Sequence, residues 1–146
     1  MQPKFTLSVV TLGVSDFARS VRFYEELGLK RKMRATGDQI AFFDAGSVVV
    51  SLFRWDDLAA DAKLKTEPRP KAFRGVTLAC NCRSEVEVDA VLAHALSIGA
   101  TLVKPALHTE YGGYCAYFAD PDGHPWEAVI APGLVPDADG RIKLPD

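Results

Sequence analysis

Residues 6–13 read as a strand, and then the spacing of apolar positions changes. Phe17, Val21, Tyr24 and Leu27 fall three or four apart, the period of one helix face. Ser15 or Asp16 offers an N-cap ahead of them, and Gly28 stands where a left-handed C-cap is wanted. Strand-like runs follow at about 30–36, 39–45 and 47–54, separated by Thr36-Gly37-Asp38 and Ala45-Gly46-Ser47. Val48-Val49-Val50-Ser51-Leu52-Phe53 has the strongest strand character in the chain. Residues 56–64 predict a short helix capped by Asp56. A second series then begins with a strand at 74–82. Ser84-Glu85-Val86-Glu87 is a capping box opening a helix, with Val88, Val91, Leu92 and Ala95 as its apolar stripe and Gly99 at its end. Strands follow near 101–104, 112–119 and 124–130, the last two joined by a tight Asp120-Pro121-Asp122-Gly123 turn.

The two series echo each other. Val10-Thr11-Leu12-Gly13-Val14 returns as Val76-Thr77-Leu78-Ala79-Cys80, 66 positions later (77 − 11). One repeat at about half the length predicts two similar modules, since a solenoid needs three or more shorter units. The order β-α-β-β-β, linker, β-α-β-β-β with short hairpin turns predicts an α+β fold. It is built from two tandem βαβββ modules whose curved mixed sheets line a shared cleft. The boundaries are 5–64 for module one, 65–72 for the linker and 73–132 for module two. A C-terminal tail of little periodicity, 133–146, completes a single domain.

The runs V-T-L-G-V-S-D-F-A-R-S-V-R-F-Y-E-E-L-G-L (10–29) and Y-F-A-D-P-D-G-H-P-W-E-A-V (117–129) resemble the opening and closing segments of a vicinal oxygen chelate protein. That superfamily includes glyoxalase, extradiol dioxygenases, methylmalonyl-CoA epimerase, fosfomycin-modifying enzymes and bleomycin-binding resistance proteins. The likeness spans about residues 6 to 132. It implies paired βαβββ modules around a half-open barrel, and it makes a homodimer an expectation. It also implies four metal-ligand positions, one on the first and one on the last strand of each module. These fall near Val9, near Ser51, within Gly75 to Thr77, and at Glu127. Only Glu127 is a usual ligand, so the resemblance is not expected to extend to a tightly bound metal; a divalent ion at Glu127, with His108 beside it, is the disfavoured alternative. Metal-dependent lyase or dioxygenase activity is disfavoured for the same reason.

Composition narrows the function classes without choosing one. The 146 residues carry a net charge of −2, with 48% hydrophobic and 25% charged residues, which suits an ordinary globular domain and leaves no electrostatic footprint for nucleic acid. No apolar stretch approaches the ~20 residues of a membrane span, and the N-terminus has no leader-like segment, so a cytoplasmic location is expected. The three cysteines are read as buried free thiols, because Cys80 and Cys82 are poorly placed to bridge each other. Phosphate loop, dinucleotide fingerprint, serine elbow and Cys-x-x-Cys are all missing from the sequence.

What remains is a small organic ligand held between modules. Glu127, with a carboxylate expected to point into the cleft, is the candidate acid or base, and His108 is its candidate partner. Glu110, Tyr111 and Tyr114 share a Gly112-Gly113 loop with His108, and together they could form a polar wall. Thr11, Ser51 and Asn81 are candidate polar contacts, though Asn81 equally suits a turn. Phe43, Trp55 and Trp126 are candidate aromatic contacts, with some of the chain's aromatics necessarily core. His94 reads as a solvated helix-face residue and His124 as a structural turn residue. Two functions stay open: a ligand-sequestering protein of the bleomycin-resistance kind, without catalysis, or a glyoxalase-related enzyme (lyase, isomerase or transferase type) using Glu127 and the His108–Tyr114 loop.

Overall fold

The computed structural model describes residues 2–66 and 71–146. Its elements follow the expected order. Module one has β1 (Val9–Val14), α1 (Phe17–Leu27), β2 (Lys30–Lys32), β3 (Ile40–Asp44), β4 (Val49–Arg54) and α2 (Trp55–Asp61). Module two has β5 (Leu78–Asn81), α3 (Glu85–Ser97), β6 (Thr101–His108), β7 (Tyr114–Ala119) and β8 (Pro125–Ile130). The modules form two separate four-stranded mixed sheets, ordered β1-β4-β3-β2 and β5-β8-β7-β6. First and last strands pair in parallel in each sheet, and the other pairs are antiparallel. Residues 67–70 of the expected linker lie outside the described residues. Among the described residues no helix is long and apolar enough to cross a membrane.

Local chemistry sets the helix ends. The Asp16 carboxylate accepts from Arg19 N at 3.0 Å and Gly28 closes α1 at φ 118°. Ser84 Oγ accepts from Glu87 N at 3.1 Å, and the Glu87 carboxylate reaches back to Arg83 N. The buried face of α1 (Phe17, Val21, Tyr24) packs on Leu12, Val14, Ala41, Phe43, Val50 and Leu52 of sheet one. Ala95 and Phe118 of module two join the same cluster, so the modules share a core. A smaller cluster of Cys82, Val88, Ala116 and Ala128 lies under α3. Each large side chain so buried contributes about 1.5–3 kcal/mol.

Several boundaries moved. The strand expected over 30–36 stops at Lys32, because Met33 turns left-handed (φ 50°) and Arg34–Thr36 closes a 3-10 turn. The short second helix begins at Trp55, with Arg54 at its cap position; Asp56 sits inside the first turn, where it favours the helix dipole. The β5 strand is only four residues long. The β6 strand runs past Pro105 to His108, which an edge strand tolerates, with register shifts on either side of Lys104. Cys80 is exposed, contrary to expectation, while Cys82 and Cys115 are buried. A hydrogen bond with the Cys82 thiol holds Cys80 at about 7, below the ordinary thiol value.

The internal repeat also shifted. The helix caps Asp16 and Ser84 are 68 positions apart (84 − 16), and buried Val14 and Cys82 stand at the same spacing. Thr11 is therefore the counterpart of Ala79, not of Thr77. Strand residues two apart share a face, so an even slip preserves the in–out pattern and leaves no trace in the hydrophobic periodicity.

Candidate functional site

The strand registers sort side chains onto two faces of each sheet. In sheet one the helix-facing set contains Ala41, Phe43, Val50 and Leu52, and the opposite face carries Thr11, Ser51 and Phe42, which lie side by side across β1, β4 and β3. In sheet two, Tyr114, Ala116, Phe118, Trp126 and Ala128 face the helices. Cys115, Tyr117, Glu127 and Val129 face the other way, with Tyr117 and Glu127 paired across β7 and β8.

This sorting separates the expected site residues. Phe43 is fully buried against Tyr24, at 6.1 Å between ring centroids, and belongs to the core rather than a cleft. Its neighbour Phe42 takes the outward face. Trp126 likewise packs on Tyr24, donating from Nε1 to the phenol oxygen at 3.0 Å. Trp126 and Glu127 are consecutive in a strand and cannot line one wall together. His108 and Tyr114 lie on the helix side of sheet two. His108 Nε2 pairs with the Glu85 carboxylate at 2.5 Å, and Tyr114 donates to Asp89 at 2.7 Å, so both face α3 and stand away from Glu127. Glu110 and Tyr111 are exposed at the β6–β7 hairpin tip. Asn81 donates to Leu134 O at 3.1 Å and ties down the tail. Ser51 is fully buried, and its hydroxyl meets that of Thr11 at 2.5 Å. His94, expected in solvent, is exposed yet also contacts Glu26 O of α1 at 2.6 Å.

Glu127 instead keeps company with residues to which spacing gave no pointer. Tyr117 is held above the ordinary phenol value, first by burial and then by the charge and hydrogen bonding of the Glu127 carboxylate. Lys104 Nζ lies 3.6 Å from Cys115 Sγ and 5.9 Å from the centre of the Tyr117 ring. The Tyr111 phenol adds a smaller electrostatic contribution to Tyr117 in the same, upward direction. A carboxylate, a phenol and an ammonium thus share the face of sheet two turned away from α3.

Beside this face, at the junction of the modules, is a cleft of about 620 Å³. Its walls are Val10, Thr11, Leu12 and Gly13 of β1, the α2 residues Trp55, Leu58 and Ala59, and Arg74, Val76, Leu78, His124 and Pro125 of module two. Ala62, Leu64 and Lys65 also line it. Of the expected contacts, Thr11 and Trp55 line it. Glu127 does not, but it sits two residues beyond Pro125 on the same strand face. Gly13 is needed here: a Cβ would come within 3.0 Å of the Trp55 ring. A second cavity, of about 820 Å³, lies over Val9, Phe42 and Val49 of sheet one, with Arg141 of the tail in its lining.

The four metal-ligand positions implied by the resemblance can be tested on this geometry. The positions near Val9 and within Gly75 to Thr77 carry no His, Glu or Gln, the Ser51 hydroxyl is already bonded to that of Thr11, and Glu127 stands opposite Ala79 on β5. Among the described residues no three His, Cys, Asp or Glu side chains converge to hold an ion. One carboxylate and two short hydroxyls do not fit a tetrahedral zinc or an oxygen-rich magnesium site.

Known proteins agree with the architecture. A family model described as the Glyoxalase/Bleomycin resistance protein/Dioxygenase superfamily matches residues 6–128. A crystal structure of a glyoxalase-related enzyme from Fulvimarina pelagi superposes with a TM-score of 0.85 at 32% identity, covering 97% of this chain and 99% of that one. A family enzyme from Burkholderia phytofirmans PsJN (TM-score 0.75, 19% identity, 85% of this chain and 97% of that one) shares the fold. So does a lactoylglutathione lyase from Agrobacterium tumefaciens (TM-score 0.65, 20% identity, 88% and 96%). With two βαβββ modules joined through one core, and a family match over most of its length, this chain belongs to the glyoxalase/bleomycin resistance protein/dioxygenase superfamily.

Proposed function

We propose that this protein binds a small organic molecule in the cleft between its modules, without depending on a tightly held metal. The junction cleft carries the reading. It is large enough for a drug-sized ligand, mostly aliphatic, floored by one tryptophan, and framed by regular elements of both modules. A thermal-shift screen over aromatic metabolites, antibiotics and aldehyde–thiol adducts tests it. A binder at about 100 times its Kd raises stability by about 2.7 kcal/mol. Ala59→Phe, which fills the cleft from α2, is expected to abolish that gain while leaving the unliganded melting temperature within a few degrees. Undiminished stabilisation in Ala59→Phe would move the ligand elsewhere.

A second reading is favoured by the Glu127–Tyr117 pair: a glyoxalase-related enzyme in which the carboxylate takes a proton from a bound substrate and the phenol donates one. His108 has no part in it, since its ring faces α3. The pair makes a direct prediction. Glu127→Gln removes the second cause of the Tyr117 shift but not the first, burial. The Tyr117 phenolate should therefore form at lower pH in Glu127→Gln than in the wild type, while staying above the ordinary phenol value. Absorbance titration at alkaline pH, with Tyr117→Phe to assign the transition, reads this out; an unmoved transition would mean that the two groups do not interact.

A further inference from the structure

Among the described residues the charge lining the junction cleft is one-sided. The two charged side chains there, Lys65 and Arg74, are both cations. Arg74 is set in place by neutral acceptors: its Nη2 lies 3.4 Å from Asp122 O and 3.0 Å from His124 Nδ1. Among the described residues no carboxylate pairs with it.

His124 is itself locked. Its Nε2 lies 2.8 Å from Gly13 O. A carbonyl can only accept, so Nε2 carries the hydrogen; a guanidinium can only donate, so Nδ1 is bare. One tautomer, with its hydrogen on Nε2, satisfies both contacts. The ring stacks on Trp55 at 6.1 Å with 15° between planes, and the Arg74 guanidinium lies 5.1 Å from the Trp55 ring. A flat aromatic surface, an oriented guanidinium and a flexible ammonium therefore border one aliphatic cavity.

We infer that the cleft selects a small organic anion with a flat apolar body, the anionic group on Arg74 and Lys65 and the ring against Trp55. This deepens the binding function proposed above and rests on it. A planar carboxylate matches the guanidinium fork, whereas a cationic or strongly hydrated neutral ligand would lose water without a partner.

The chain has two tryptophans, which makes the test local. In ¹H–¹⁵N spectra of the full chain, Trp55→Phe assigns the two indole N–H signals. Titration with 2-naphthoate should move the Trp55 signal and leave that of Trp126, whose Nε1 is bonded to Tyr24. The neutral isostere 2-naphthamide should bind about tenfold more weakly, the worth of a charge-assisted hydrogen bond. Lys65→Met and Arg74→Met should each weaken naphthoate by at least about fivefold and leave the amide unchanged, while Arg74→Lys keeps most of the preference. Lys65 is exposed, so Lys65→Met reports on charge even if Arg74→Met disturbs the stack. Equal affinity for the two probes at Trp55, unaffected by Lys65→Met, would overturn the anion preference and leave the cleft a ligand site. A Trp55 signal that neither probe moves would overturn both.

Discussion

Asp120→Ala should lower stability by about 3–5 kcal/mol, the cost of leaving several buried polar groups without partners. Asp120 is 2% exposed. Its Oδ2 accepts from the Tyr24 phenol at 2.6 Å, and its Oδ1 accepts from Asp122 N and His124 N, both at 2.9 Å. Tyr24 in turn accepts from Trp126 Nε1. Truncation would strand a phenol between modules and two N–H groups in the turn. The next acid in the turn extends the link: Asp122 accepts from Ser15 N, Ser15 Oγ and Ser20 Oγ at the start of α1. Urea unfolding checks the size of the loss. The pH dependence checks its cause. Burial first, then the Asp120 charge, raises the Tyr24 phenol well above its ordinary value. A folded-state value above the unfolded one gives stability that is complete below pH ~10 and is lost as pH rises beyond it. Asp120→Asn removes the charge and keeps the burial, so its stability should fall less steeply in alkali than that of the wild type. Parallel alkaline profiles for the two proteins would contradict the Tyr24–Asp120 bond.

The turn containing these acids shows what the sequence could and could not reveal. Asp120-Pro121-Asp122-Gly123 announced a tight hairpin, and Gly123 does adopt positive φ (84°). That its carboxylates clamp the first helix of the other module is a contact across about a hundred residues, and no local pattern encodes it. The same division runs through the fold. Helix caps at Asp16 and Ser84, the glycine after α1 and the order of both modules were legible because each is written within a few residues. The repeat register was not, because a slip of two keeps every side chain on its face. The strand expected near 101–104 runs on through Pro105 to His108, because edge position depends on the partner strand, not on the proline.

The candidate site was legible in part, for reasons of the same kind. Glu127 and Thr11 were found through a resemblance and a repeat, and Trp55 through its aromatic surface. Period two predicts that neighbours part company, and that alone disqualifies the joint choice of Trp126 and Glu127. It does not say which of the pair faces the helices; Tyr24 decides that. Arg74 and His124 carried no sequence signal, since their roles come from stacking on a residue of the other module. Tyr117 and Lys104 lie on separate strands, and only the β6–β7 register, shifted by irregularities about Lys104, brings them together.

Gly113→Ala should destabilise the protein by about 1–3 kcal/mol, in the range of forced overpacking. The reason is space and not backbone angle. A Cβ at position 113 would lie 2.6 Å from Ile130 O and 2.6 Å from Tyr111 Cε2, with Thr109 Oγ1 at 3.1 Å. Ile130 O belongs to the β8 backbone, opposite Tyr114, and cannot retreat without opening the end of the β7–β8 ladder. Gly113 also donates to Thr109 Oγ1 at 2.8 Å and accepts from Thr109 N at 2.9 Å, which pins the hairpin tip. Its neighbour supplies the control. Gly112 has φ 87° with only Pro132 Cγ nearby, at 3.7 Å, so Gly112→Ala is strained by conformation but not by contact. That strain is worth about 1–2 kcal/mol and can relax in an exposed loop. Denaturant midpoints should therefore fall further for Gly113→Ala than for Gly112→Ala. Equal midpoints for the two variants would mean that the Ile130 carbonyl does not press on the hairpin. The wall beside Glu127 would then owe its shape to something other than this contact.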